Sequence, residues 1–219
     1  MPDTKNTLTA IAAVGVIAAA CGWIYFGQAD AAKHNIVLHQ RVGEVLAEQT
    51  AQLIGNKGRV VTIAIETKEW PELKTQIEAF NNKLATLGKF EVRDYQMDTK
   101  DQPKYGVGTG LSGRRYIRTV KKNESADVFV SFIGAPKLDE AERTELETGR
   151  KPKLIAEARG TDYLPKLFKH ELVQVAVVSR YQYPSPAPEK PKSPDEWFVS
   201  RYQIVTPQTA NTLPKPEKD

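Results

Sequence analysis

One cysteine, Cys21, stands among 219 residues, with three histidines, two methionines and three tryptophans. A lone thiol closes no intramolecular disulfide and assembles no cysteine-based zinc site. His34, His39 and His170 are scattered, and His34 and His39 are off the spacing that shares a helix face. They are read as solvated polar residues, and no metal or cofactor is expected. An excess of one charge is also missing. Lys and Arg number 31 against 27 Asp and Glu, and the net charge of +4 is spread along the chain. That excludes the concentrated basic stripe of a nucleic-acid binder, so no nucleic acid is expected as a partner. With 40% hydrophobic and 26% charged residues, the chain is neither disordered nor collagen-like, and its length allows one sizeable domain.

Long apolar runs are also scarce. The one present is residues 8–27, LTAIAAVGVIAAACGWIYFG, which carries no charge. About 20 such residues span a hydrocarbon core, so this segment is read as a transmembrane helix following a tail at 1–7. Trp23 and Tyr25 lie where amphipathic rings favour the headgroup region. Gly15, Ala19 and Gly22 fall near one face and would admit a second helix, an expectation of self-association through the span. Residues 18–22, AAACG, also resemble a lipoprotein cleavage site that would lipidate Cys21. A cleaved secretory signal is the third reading. A retained anchor in the inner (cytoplasmic) membrane, with a periplasmic or extracytoplasmic domain, is the expectation carried forward.

Residues 28–58 place Leu38, Val42, Val45, Leu46 and Leu53 at helical spacing, predicting a juxtamembrane amphipathic helix that packs on its own domain or pairs with a neighbour's. From residue 59 to 181 short β-branched runs alternate with amphipathic helices. Strands are predicted at 60–65, 90–95, 127–133, 153–156 and 172–178, and helices at 70–87, 113–122, 138–147 and 162–169. Strict alternation implies a parallel sheet with right-handed crossovers and helices on both faces. The expected fold class is therefore α/β, a three-layer, five-stranded parallel sheet in flavodoxin-like order. Residues 182–219 form a proline-rich linker and an extension. Within it, 195–205 (DEWFVSRYQIV) is too apolar for a free tail, and Trp197, Phe198 and Tyr202 are candidates to dock on the domain or on a partner.

In element order, residues 59–181 resemble one lobe of the type 1 periplasmic solute-binding proteins of ABC transporters. The resemblance covers just over half the chain and implies a ligand lobe. It departs from the family in having no second lobe to close a cleft. A receiver domain is disfavoured, because no acidic pair follows the first strand and no aspartate ends the third.

Ligands of open parallel sheets bind beyond the carboxyl ends of the strands. The most unusual segment there is 105–115, YGVGTGLSGRR, whose glycines allow tight turns and whose arginines precede a helix. Candidate ligand-binding residues at this edge are Glu66, Gly108, Gly110, Ser112, Arg114, Arg115 and Arg159. Gly108, Gly110 and Gly113 match a dinucleotide fingerprint that belongs after the first strand, not the second. No catalytic constellation is found. The expected function is a membrane-anchored, non-enzymatic envelope protein acting as scaffold or accessory subunit of a membrane complex. Its expected partners are the lipid bilayer and other membrane or envelope proteins, with self-association through the transmembrane or juxtamembrane helix. The alternative is an anchored small-ligand or anion sensor using loop 105–115.

Overall fold

A computed structural model describes residues 4–68, 70–97, 110–149, 151–180 and 193–213, with side chains described for all of these except 4–12, 24–35 and 212. The chain divides into two compact units, Met1–Val37 and Leu38–Asp219.

A single helix, α1, runs Thr4–Ile54. The separate span and juxtamembrane helix expected from the sequence are thus one element, because the join between them contains no proline and is rich in good helix formers. In the first unit Val14, Val16, Ile17 and Trp23 are exposed. Among the described residues no helix is long and apolar enough to cross a membrane. Within the expected span 8–27, side chains are described only for residues 13–23.

In the second unit, the end of α1 buries Leu38, Val42, Val45, Leu46 and Ala47. Gly55, with φ +85°, terminates the helix. There follow β1 (Lys57–Ile65), α2 (Pro71–Leu87), β2 (Lys89–Met97), β3 (Leu111–Ser112) and α3 (Gly113–Lys122). Then come β4 (Val128–Ser131), β5 (Pro136–Lys137), α4 (Glu140–Thr148), β6 (Lys153–Ala158), α5 (Leu164–Lys169), β7 (Val175–Ser179), α6 (Pro194–Arg201) and β8 (Tyr202–Val205). The main sheet has the order β2-β1-β4-β6-β7-β8.

Its first five strands are parallel and follow the flavodoxin-like order. The five-stranded expectation is corrected to six. β8 adds antiparallel to β7, with Ala176 opposite Val205 and Ser179 opposite Tyr202. Strand–helix alternation foretells only parallel additions; here α6 returns the chain along the sheet edge instead. Ser193 caps α6 by accepting from Glu196 N, and Pro194 sits in its first turn. β3 and β5 form a separate two-residue parallel pairing.

The register places Thr62, Val130, Ile155 and Val175 in one row on the same sheet face, the face that also bears Asp94 of β2. α1 and α2 cover that face. Tyr116 of α3 packs edge-on against Phe129 of β4, 6.0 Å between ring centroids, so α3 covers the opposite face. β1 is buried from Val60 to Ile65 and β4 throughout, as expected of central parallel strands. β2, at the edge, is exposed over most of its length.

The approach of α1 to α2 is close. A Cβ on Gly43 would stand 2.1 Å from the Gln76 carbonyl oxygen and 3.0 Å from Phe80 N. Both contacts are to backbone, so a side chain forces the helices apart. Gly43→Ala should lower stability by about 1–3 kcal/mol, and Gly43→Leu by more. Urea denaturation of the detergent-solubilised chain checks this; an unchanged midpoint for both variants would show that the close approach does not hold.

Candidate functional site

The carboxyl ends of the strands carry two groups of side chains. The first gathers around the end of the glycine-rich segment. Gly110, with φ +119°, donates its amide to Ile133 O at 3.3 Å, and Leu111 N donates to Ala135 O at 3.1 Å. The β3–β5 pairing thereby stitches this segment to the loop after β4. Ser131 Oγ tightens that loop by donating to Gly134 O at 2.6 Å. Lys137 Nζ lies over the Tyr163 ring, 5.6 Å from its centroid. The Tyr163 hydroxyl is buried with no hydrogen-bond partner among the described residues, and burial, reinforced by Asp162, pushes it up to about 12.

The start of α3 is already furnished with a carboxylate. Glu142 belongs to the capping box of α4, where its side chain accepts from Asp139 N at 3.1 Å while Asp139 accepts from Glu142 N at 2.8 Å. The same carboxylate reaches Gly113. A Cβ there would stand 2.2 Å from Glu142 Oε2 and 2.7 Å from Lys137 O, so only glycine fits. Arg114 Nε lies 3.9 Å from Glu142 Oε1 and is otherwise open to solvent. An incoming anion at this helix start meets a resident negative charge.

The second group is buried beneath α1 and α2. Glu157, near the end of β6, is 1% exposed, and both carboxylate oxygens are buried. The register puts it on the same face as Ile155, toward α1 and α2. Burial pushes its carboxyl up to about 7, opposed by Arg159 and by Gln76. Gln76 Nε2 lies 3.0 Å from His39 Nδ1, joining α2 to α1. Burial also lowers the His39 imidazole, with Glu72 opposing and Arg159 reinforcing the shift. Tyr202 of β8 completes the group; burial raises its hydroxyl, and Glu157 raises it further.

Of the residues singled out in the sequence, Gly110, Ser112 and Arg114 are brought together at the first group, and Arg159 borders the second. Ser112 precedes α3, exposed and making no cap bond. Arg115 is half-buried on α3 and Glu66 is exposed after β1. Gly108 lies outside the described residues. Trp197, Phe198 and Tyr202 turn toward their own domain: Phe198 and Tyr202 are buried and stack at 5.8 Å, and Trp197 packs on the core. Arg41 Nε donates to Asp195 Oδ1 at 2.6 Å, tying α6 to α1. His39 is a correction, since the solvated residue expected is a buried one. Its position three before Val42 and seven before Leu46 on the apolar stripe was the available signal. Glu157 was missed because the predicted strand stopped at Ala156. Among the described residues no group of three His, Cys, Asp or Glu is placed to hold a metal ion.

A cavity lies elsewhere. About 480 Å³ opens between α3 and α4 at the amino ends of β4 and β6, floored by Ile117, Val120, Phe129, Leu146 and Pro152.

This architecture has solved counterparts. It has the fold of the sugar-binding proteins of ABC transporters. The XylFII–LytSN complex matches with TM-score 0.51 at 13% identity, over 78% of this chain and 60% of that one. AraP, an arabinose-binding protein from Geobacillus stearothermophilus, matches with TM-score 0.52 at 11% identity, over 80% and 62%. A solute-binding protein from Burkholderia graminis C4D1M in complex with D-arabinose matches with TM-score 0.50 at 14% identity, over 81% and 62%. The chain therefore spans about three-fifths of the length of these proteins, as the 60–62% coverage records. At such identities the likeness is one of fold, and it is the one the element order implied. No protein-family model and no curated protein matches the chain.

The buried Glu157 carries a signed pH dependence. Its carboxyl ionises near 4.5 in ordinary surroundings and near 7 when folded, so the stability of its neutral form is lost as pH rises across that interval. His39 acts oppositely: its neutral folded form contributes fully above 6.5, and that contribution is lost as pH falls below it. Glu157→Gln removes the first effect alone. Its stability relative to the parent should rise between pH 4.5 and 7, by up to about 3 kcal/mol. Denaturation of both proteins across this range measures it, and a difference independent of pH would contradict an uncharged, sealed carboxyl.

Proposed function

We propose that this protein is a membrane-anchored, non-enzymatic accessory or scaffold subunit. Its sugar-binding-protein fold meets another envelope protein instead of enclosing a solute. The observation carrying this reading is Glu142, whose carboxylate stands against Gly113 at the start of α3, where an anionic ligand of the glycine–arginine loop would dock. The apolar cavity at the opposite end of the sheet fits a protein contact better than recognition of a hydroxyl-rich solute. The XylFII–LytSN complex supports the idea that a protein of this fold can work within an assembly.

The anchor rests on the uncharged run 8–27 and on the exposure of Val14, Val16 and Ile17 along its helix. An extracytoplasmic location follows from a short tail left inside and agrees with the role of the solute-binding proteins whose fold is shared. The second reading, an anchored sensor of a small ligand or anion, is favoured by the arabinose-binding counterparts.

Two measurements test these statements. The intact chain should remain in the membrane pellet through an alkaline carbonate wash, and a Val14→Arg/Ile17→Arg variant should leave it, because each central arginine costs about 2.5–3.5 kcal/mol of insertion. A parent chain recovered in the wash would refute the anchor. Detergent extracts should then show the chain in stoichiometric association with a different protein. Recovery only as a 24.4 kDa chain or its self-associated form, together with heat on titration with pentoses or phosphorylated metabolites, would favour the sensor.

A further inference from the structure

We infer that β2 is a docking edge for a second copy of this chain, paired antiparallel about a two-fold axis at Val92. β2 is nine residues long and is paired to β1 along its whole length, Lys57 with Lys89 through Ile65 with Met97. Among the described residues its other edge is the end of the sheet. A long edge strand presents unpaired amides and carbonyls, which are a template for another strand. Here the residues on that strand specify which one.

A two-fold axis normal to the sheet keeps each residue on its own face, so residues that come opposite must be of the same parity in number. Centred on Val92, this operation sets Val92 against Val92, Glu91 against Arg93, Arg93 against Glu91, and Phe90 against Asp94. Both salt-bridging residues are available for it. Glu91 and Arg93 are each 62% exposed and, among the described residues, pair with one another, 3.4 Å apart along the strand. Opposite charges directly across an antiparallel pair are favourable, and this register creates two such pairs with one operation. Centring on Arg93 instead would place Arg93 against itself and Glu91 against Tyr95. Val92, 37% exposed, supplies the apolar centre.

The neighbouring face agrees. Phe90, Val92 and Asp94 line a groove of about 440 Å³ with Asn81, Leu84 and Ala85 of α2. Asn81 Oδ1 is buried in this helix with no hydrogen-bond partner among the described residues. The incoming copy brings its own Val92 and Phe90 to the same face and covers the groove. Pairing through β2 is distinct from self-association through the membrane helix, and it does not depend on which other protein the scaffold meets.

The test uses the full chain in membranes with Cys21→Ser as background. Val92→Cys should be joined into a covalent dimer by a short bis-maleimide at least about tenfold faster than Thr86→Cys, an exposed control on α2, because directly opposed Cα atoms lie only about 4.5–5.5 Å apart. Adding Glu91→Arg or Arg93→Glu sets like charges opposite and should slow that crosslinking about tenfold, while the double reversal Glu91→Arg/Arg93→Glu should restore it. Equal rates at the two cysteine positions would overturn the proposal. So would a Val92 crosslink indifferent to both single reversals, which would mean that a different register or a foreign strand occupies the edge.

Discussion

The contact on which the lobe depends is the approach of α1 to α2 at Gly43. Central parallel strands are apolar on both faces, and each face must be covered by helix. Four of the crossovers supply α2, α3, α4 and α5, but α2 alone serves the face bearing Thr62 and Ile155. The end of α1 completes that layer, and it can do so only because residue 43 has no side chain. The polar links follow from the same placement. His39 comes to Gln76, and Arg41 comes within reach of Glu44, Glu48 and Asp195. Partial burial works against the Glu48 carboxylate, but Arg41 and Lys83 prevail and hold it below the usual range.

Much of this was legible in the residues. Continuous apolar runs at 60–65 and 127–133 fixed central parallel strands, and α3 begins and ends at the residues read from Gly113 and Lys122. The likeness to solute-binding proteins also followed from element order, since topology survives where identity falls to 11–14%. What escaped was decided by tertiary contact. YQIV at 202–205 is too short to announce a strand, and only its pairing with β7 makes it one. Whether α1 is a stalk or a layer depends on Gly43 meeting Gln76, and no periodicity within α1 encodes its partner. The site was harder still. Glycine–arginine composition suggested an anion seat, but nothing in residues 105–115 encodes that Glu142, on the following helix, brings a carboxylate against Gly113.

Glu157 poses a different question. A carboxyl sealed in an apolar layer is destabilising in its ionised form, and a hydrocarbon of similar volume would fill the space at no such cost. Its neighbours come from three separate parts of the chain: His39 from α1, Gln76 from α2 and Tyr202 from β8. Each has polar atoms that also resist burial. Together they make the seating of α1 and β8 conditional on mutual placement, since a shift of either leaves a further polar group buried without a partner. A group of this kind specifies how the last layer closes more than it strengthens the closure.

The two sheet edges show how the fold divides what it finishes from what it leaves open. At one end β8 is short, four residues, and α6 folds over it with Phe198 stacked on Tyr202. Arg180 reinforces that end by donating from its backbone N to Arg201 O and from Nε to Tyr202 O. At the other end β2 runs nine residues without equivalent cover among the described residues. Charges on an edge strand ordinarily guard against pairing, because a random incoming strand meets them unmatched. The order Glu91-Val92-Arg93 guards selectively. It repels strands that bring like charge into register and accepts its own two-fold image, so the same residues that keep the edge soluble also choose its partner.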